Sequence, residues 1–67
     1  MKKIKFTVEI GKDGYSAWHE PVGGGIAATM GASFAILKSN AVESYNLLMS
    51  DTNAKPITAD AIEFLMA

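Results

Sequence analysis

Three carboxylates in the first third of the sequence are the residues whose chemistry is easiest to envisage: Glu9, Asp13 and Glu20. Converging carboxylates hold the ions of two-metal nucleases, which lie about 3.5–4 Å apart. The local pattern places Glu9 on the polar side of a strand, Asp13 in a turn and Glu20 directly before a proline. We therefore interpret all three as solvated surface acids.

His19 is the only histidine, and the sequence has no cysteine. Beside Ser16, Ser33 or Ser39 it would form a nucleophile–base pair, but no serine has the flanking glycines of a nucleophile elbow. A single imidazole without thiolates also falls short of the ligand set of a zinc site. The sequence thus predicts no catalytic residue, no metal site and no cofactor, and His19 is interpreted as a surface residue at a strand end.

The glycines at positions 23–25 are the stretch that most resembles a phosphate-binding loop. They lack the Gly-x-Gly-x-x-Gly spacing, and no phosphate-binding Lys-Ser or Lys-Thr pair follows directly. A flexible connection between two elements is the better interpretation.

The charge balance argues against nucleic acid as the main ligand. Six lysines face seven acids, for a net charge of −1, and there is no arginine. Binding to a phosphate backbone usually needs a basic surplus, and bidentate phosphate contacts need a guanidinium group. Because Lys2, Lys3 and Lys5 crowd at the start, a small RNA-binding module that uses a sheet and these lysines remains an alternative.

Tyr15 and Trp18 are the aromatic residues best placed for a surface role. A sheet that stacks bases presents its aromatics on one face beside basic residues. Three positions apart in one strand, Tyr15 and Trp18 point to opposite faces. We predict that one packs in the core and that the exposed one anchors an interface.

Sixty-seven residues make one domain, spanning positions 1–67. A chain of this size buries only roughly 60% of the surface that its unfolded form exposes. Without disulfides or a metal, a partner such as a second copy is the remaining source of added stability. No apolar run reaches the roughly 18 residues of a membrane span, and the expected location is the bacterial cytoplasm.

Apolar residues alternate with polar ones over positions 4–10, a period of two that predicts a strand with one buried face. The turn at 11–14 contains two glycines, and a returning strand is predicted over 15–20. A weaker third strand is predicted over 26–30, giving a three-stranded antiparallel sheet.

Ser33 is a good helix N-cap, and the apolar period changes to 3.6 over residues 34–49. The sheet and this helix together predict an α+β fold of the order β-β-β-α. The core-facing stripe of the helix is predicted to be Phe34, Leu37, Ala41, Tyr45 and Leu48, flanked by Val42 and Met49.

Ile36 and Leu47 lie nearly opposite that stripe, with Asn40 and Glu43 between them. The sheet covers one face of the helix, so the two apolar residues are expected outside, where they favour an interface. An edge strand of the sheet is a second predicted contact, since its unpaired N–H and C=O groups invite another strand. The predicted interface residues are Tyr15, Trp18, Ile36, Asn40, Glu43 and Leu47.

The tail is ambiguous after a polar loop at 50–56. Its alanine, leucine and methionine residues favour a short helix capped by Thr58, whereas Ile62, Phe64 and Met66 alternate as in a strand. An apolar end of this kind normally docks against something.

The order of these features resembles the N-terminal domain of HicB-type antitoxins. The resemblance covers about the first fifty residues. It depends on the strand at 4–10, the turn Lys12-Asp13-Gly14-Tyr15 with Ala17-Trp18 on the next strand, and the glycine-rich stretch before Ile26. It also includes the segment Gly31-Ala32-Ser33, followed by Asn40 and Glu43 in the helix. It implies a curtailed ribonuclease-H-like fold, which favours a strand over Ile62 to Met66. It also implies self-association and the binding of a small RNA-cleaving toxin by occlusion of its active site.

Two departures from the family pattern accompany this resemblance. The chain has Pro21-Val22-Gly23-Gly24-Gly25 where a Leu-Pro-Gly-Cys-like segment is usual, and Phe34-Ala35-Ile36 where acids follow the helix cap. The family's C-terminal DNA-binding segment matches no part of the sequence. The resemblance therefore implies toxin neutralisation by these residues, with operator binding either absent or carried by residues outside this sequence.

Overall fold

The computed structural model describes residues 3–21, 24–52 and 54–67. Lys2 of the lysine cluster, Val22 and Gly23 of the glycine-rich connection, and Asn53 of the loop lie outside the described residues.

The first half of the chain forms an antiparallel meander. Strand β1 (Ile4–Gly11) turns through two residues into β2 (Gly14–His19), with Gly11 opposite Gly14. Strand β3 (Ala27–Gly31) then pairs antiparallel with the other side of β2. The three strands predicted from the sequence are therefore confirmed, each within about one residue of its predicted bounds.

The helix begins where the sequence places its cap. Helix α1 runs from Phe34 to Leu48, and the Ser33 hydroxyl accepts a hydrogen bond from the backbone N–H of Ile36 at 3.2 Å. It ends one residue earlier than predicted, in a 3-10 turn over Met49–Asp51. Leu37 and Ala41 are fully buried, whereas Phe34 is 44% exposed at the first turn, where its ring still lies against Tyr15.

The tail resolves into a strand and changes the predicted sheet. A 3-10 turn at Ala59–Ala61 leads into β4 (Ile62–Met66), which pairs parallel with β1. The three antiparallel strands are as predicted, and the tail takes the strand alternative. The sheet is thus four-stranded and mixed, in the order β3-β2-β1-β4, because β4 joins it in parallel, which the sequence did not predict. A parallel pairing needs a long crossover, and α1 with its flanking turns supplies it.

The core lies between α1 and one face of the sheet. The apolar alternation of β1 and β4 supplies that face, and Ile10 is 63% exposed because it lies at the strand end beyond the buried residues. Among the described residues, no helix is long and apolar enough to cross a membrane. The buried cluster consists of Phe6, Val8, Ala17, Ala27, Leu37, Ala41 and Ile62.

Candidate protein-binding surfaces

His19 is a packing residue and not the surface residue expected from the sequence. Its imidazole is half-buried between the rings of Phe6 and Tyr45, at centroid distances of 5.5 and 5.6 Å. Nδ1 lies 2.9 Å from the backbone oxygen of Lys5, which only accepts, so Nδ1 carries the proton in this contact. The imidazole is therefore occupied in joining β2 to β1.

The three carboxylates considered for chemistry, Glu9, Asp13 and Glu20, are all exposed. Glu9 lies on β1 and Asp13 in the hairpin turn, while Glu20 follows the last residue of β2. No group of three acidic, histidine or cysteine side chains among residues 3–21, 24–52 and 54–67 is placed to hold a metal ion.

Tyr15 and Trp18 lie on the two faces of the sheet. Tyr15 is on the helix side, where its ring stacks on that of Phe34 at a centroid distance of 4.4 Å. Trp18 lies on the open face, half-buried, in a row that crosses the sheet from Ala28 through Trp18 and Thr7 to Leu65. Tyr15 is therefore a packing residue, and Trp18 is the one on the uncovered face.

The outer face of α1 brings together part of the predicted interface. Leu47 is 75% exposed and lines a shallow groove of about 260 Å³ together with Asn40, Glu43, Ser44 and Thr29. Ile36 is half-exposed but lies outside this groove, close to Gly31 at the other end of the helix. The predicted set Ile36, Asn40, Glu43 and Leu47 is thus one helix face with two separate apolar ends.

Asn40 has a structural role that sequence reasoning missed. The carbonyls of Met30 and Ala28 point away from β2, toward the free edge of β3. The Asn40 side-chain amide donates to the first at 2.8 Å, and the Ser44 hydroxyl donates to the second at 3.2 Å. One helical turn apart, the two side chains satisfy edge acceptors that would otherwise accept from an added strand.

We expect the double variant Asn40→Ala/Ser44→Ala to associate at concentrations where the original chain does not aggregate. It frees the Met30 and Ala28 carbonyls while leaving the core stripe of α1 unchanged. Light scattering at increasing concentration measures this, with Glu43→Ala as a control on the same helix face. Equal scattering by both variants would show that the two bonds do not protect the edge.

The opposite edge of the sheet, formed by β4, has no such covering. The Ala67 N–H donates to the Val8 carbonyl at 2.8 Å, so the backbone groups of Ala67 face β1. Because this direction alternates along a strand, every second residue of β4, counted back from Met66, directs its backbone groups away from β1. These outward groups belong to Ile62, Phe64 and Met66. The Ile62 N–H donates to the Ala59 carbonyl in the preceding 3-10 turn. Among the described residues no side chain binds the Ile62 carbonyl or the backbone groups of Phe64 and Met66. Helix α1 lies over β3 and β2 and touches β4 at few points, which explains the asymmetry.

Apolar side chains flank this open edge. Leu65 is 43% exposed on the open face, and Met66 is 53% exposed on the helix side. Phe34 and Lys38 lie near the Phe64 ring, the Phe34 centroid and the Lys38 Nζ each at 6.0 Å from its centroid. The alternation of Ile62, Phe64 and Met66 was the sequence signal for this edge, but its free side depends on which strand β4 joins.

The start of β4 is fixed by polar contacts. The Thr58 hydroxyl donates to the Asp60 carboxylate, and the Lys3 ammonium donates to the Asp60 carbonyl. The Thr58 hydrogen bond, a backbone N–H and the nearby charges of Lys3 and Lys38 lower the pKa of Asp60 from its usual value. An ionised carboxylate therefore marks the beginning of the open edge.

Compared with protein-family models, curated proteins and solved structures, the chain matches none of them.

Proposed function

We propose that the chain is a non-enzymatic protein-interaction module, an HicB-like antitoxin that neutralises a small RNA-cleaving toxin by covering its active site. The observation that supports this is the difference between the two sheet edges. The outward carbonyls of β3 are occupied by Asn40 and Ser44. On β4 the Ile62 carbonyl and the outward groups of Phe64 and Met66 are free beside exposed apolar side chains. Exposed edges of that kind bind other proteins by strand addition.

In this mode of binding, backbone hydrogen bonds supply affinity and the flanking side chains supply specificity. Phe64 and Met66 present both backbone groups and Ile62 presents its carbonyl, while Leu65 and Met66 add exposed apolar surface beside them. A toxin that extends the sheet at β4 would lie across this surface, and its own active site would be shielded from RNA.

The RNA-binding alternative has weaker support from the open face of the sheet. Trp18 and Lys5 lie there, but Glu9 and Glu63 share that face with them. Carboxylates beside the aromatic side chain repel a phosphate backbone, and binding to RNA depends on favourable charge. An orphan oligomerisation domain, the other alternative, uses the β4 edge in the same way but needs no toxin.

The proposal predicts a gene for a small basic RNA-cleaving protein beside the gene of this chain. We expect the purified chain to inhibit RNA cleavage by that protein, with full inhibition near equimolar ratio. Cleavage of a labelled RNA, titrated with the chain, measures this directly. The variant Met66→Pro removes an outward N–H of β4 and should weaken inhibition, whereas Ala28→Pro, on the edge of β3, should not. If the folded toxin cleaves RNA at the same rate with and without a molar excess of the chain, the proposal is contradicted.

A further inference from the structure

The open β4 edge is complementary to itself. Two copies related by a two-fold axis present the same surface to each other, so identical edge strands meet antiparallel. We propose that two copies of this chain pair through β4, with Phe64 opposite Phe64 of the second copy, to form one continuous sheet. This inference rests on the proposed function and adds that a second copy and the toxin compete for the same edge, so that toxin binding separates the dimer.

The direction of the backbone groups limits the possible registers. The free outward groups are the Ile62 carbonyl and the N–H and C=O groups of Phe64 and Met66, because the Ile62 N–H is bound to the Ala59 carbonyl. Only registers that set these three residues against one another form hydrogen bonds. With Phe64 on the axis, the two Phe64 residues exchange both hydrogen bonds, and the Ile62 carbonyl accepts from the Met66 N–H of the second copy. The same arrangement keeps the helix-side and open faces of the two copies aligned.

Charge selects this register over its neighbours. With Phe64 on the axis, Glu63 lies opposite Leu65 of the second copy. Within its own copy, Glu63 is already paired across the strands with Lys5 of β1. A shift of the axis to Glu63 sets two carboxylates directly opposite each other, which destabilises a strand pair. A shift to Leu65 leaves Ile62 opposite no residue of β4.

The side chains beside the axis suit a second copy. On the helix side, Met66 is 53% exposed and Phe34 is 44% exposed next to Phe64. Pairing covers these apolar surfaces from both copies at once, which is the added burial that a short chain without disulfides lacks. The opposite edge does not compete, since its outward carbonyls are bound by Asn40 and Ser44.

A charge test at Leu65 distinguishes this register from any other association. Leu65 is exposed, and its side chain faces Glu63 of the second copy in the proposed dimer. Leu65→Glu should raise the dimer dissociation constant about tenfold over Leu65→Lys at low salt, because the contact occurs twice. The difference should shrink at high salt.

The experiment is a dilution series by light scattering and analytical ultracentrifugation on the original chain and five variants. These are the two Leu65 variants, Met66→Pro, Ala28→Pro and the double variant Ile36→Glu/Leu47→Glu. Far-UV circular dichroism confirms that each variant is folded. We expect a concentration-dependent dimer that Met66→Pro weakens at least about tenfold and that Ala28→Pro leaves unchanged.

Three results overturn the dimer: a monomer at all concentrations, equal constants for the two Leu65 variants, or a dimer broken only by Ile36→Glu/Leu47→Glu. The last would place the interface on the outer face of α1. A monomeric chain that still inhibits the toxin would refute the dimer alone, and a β4 dimer without toxin binding would refute the antitoxin function alone.

Discussion

Gly31→Ala should lower the free energy of unfolding by about 1–3 kcal/mol, the range found when atoms are forced into a packed interior. A Cβ at Gly31 would lie 2.7 Å from the backbone nitrogen of Leu37 and 3.0 Å from its Cα. Both neighbours are helix backbone, so relief requires β3 to move away from α1. A domain of this size has a total stability of only roughly 3–10 kcal/mol, so the loss is a large fraction.

Urea unfolding followed by circular dichroism measures the effect, and Gly11→Ala is the matched control. A Cβ at Gly11 would lie 3.4 Å from the Gly14 carbonyl oxygen, an ordinary contact. The same added methyl group should therefore change stability by less than about 0.5 kcal/mol there. If the two variants are equally stable, the close approach of β3 to α1 is not a constraint on residue 31.

The close contact at Gly31 also affects the edge of the sheet. Because the strand end lies against the first turn of α1, Asn40 can reach the Met30 carbonyl from the same helix. We therefore expect Gly31→Ala to weaken edge protection as well as the core. Gly31, the helix cap at Ser33 and the hydrogen bond from Asn40 to the Met30 carbonyl therefore depend on one another.

Local patterns predicted the parts of the fold that depend on neighbouring residues. The alternation over residues 4–10 predicted β1, and Ser33 predicted the start of α1, because a strand face and a helix cap are each determined within a few residues. Pairing between distant segments carries no such signal. Nothing near Ile62 specifies that β4 joins β1 in parallel, so the sheet order was missed.

The candidate surfaces show the same limit. The exposure of Ile36 and Leu47 follows from helix periodicity and matches the structure. Asn40 was selected as an interface residue from its place on the outer face, yet its amide is bound to the Met30 carbonyl. His19 was expected at the surface and instead packs on Tyr45, a contact that forms only when α1 covers the sheet.

The segment that leads to β4 depends on one side chain. Asn46 accepts a hydrogen bond from the Ile57 N–H at 2.9 Å and donates one to the Ile57 carbonyl at 3.1 Å. Its amide thus satisfies both backbone groups of a residue that lies in no helix or strand. Because the contact is half-buried, Asn46→Ala should lower the free energy of unfolding by about 1–3 kcal/mol, as urea unfolding would measure.

Asn46→Asp separates the two hydrogen bonds by pH. An ionised carboxylate still accepts from the Ile57 N–H but cannot donate to the Ile57 carbonyl, whereas the protonated acid does both. The folded state therefore favours the protonated form, which raises the pKa of the introduced carboxyl above its unfolded value of about 3.9. Its stabilising contribution is full below that value and is lost as the pH rises through the folded-state pKa.

Relative to the original chain, Asn46→Asp should thus be most destabilised near pH 7 and recover near pH 4, whereas Asn46→Ala should show the same deficit at both. A deficit of Asn46→Asp that does not change with pH would mean that the Ile57 carbonyl gains nothing from the amide.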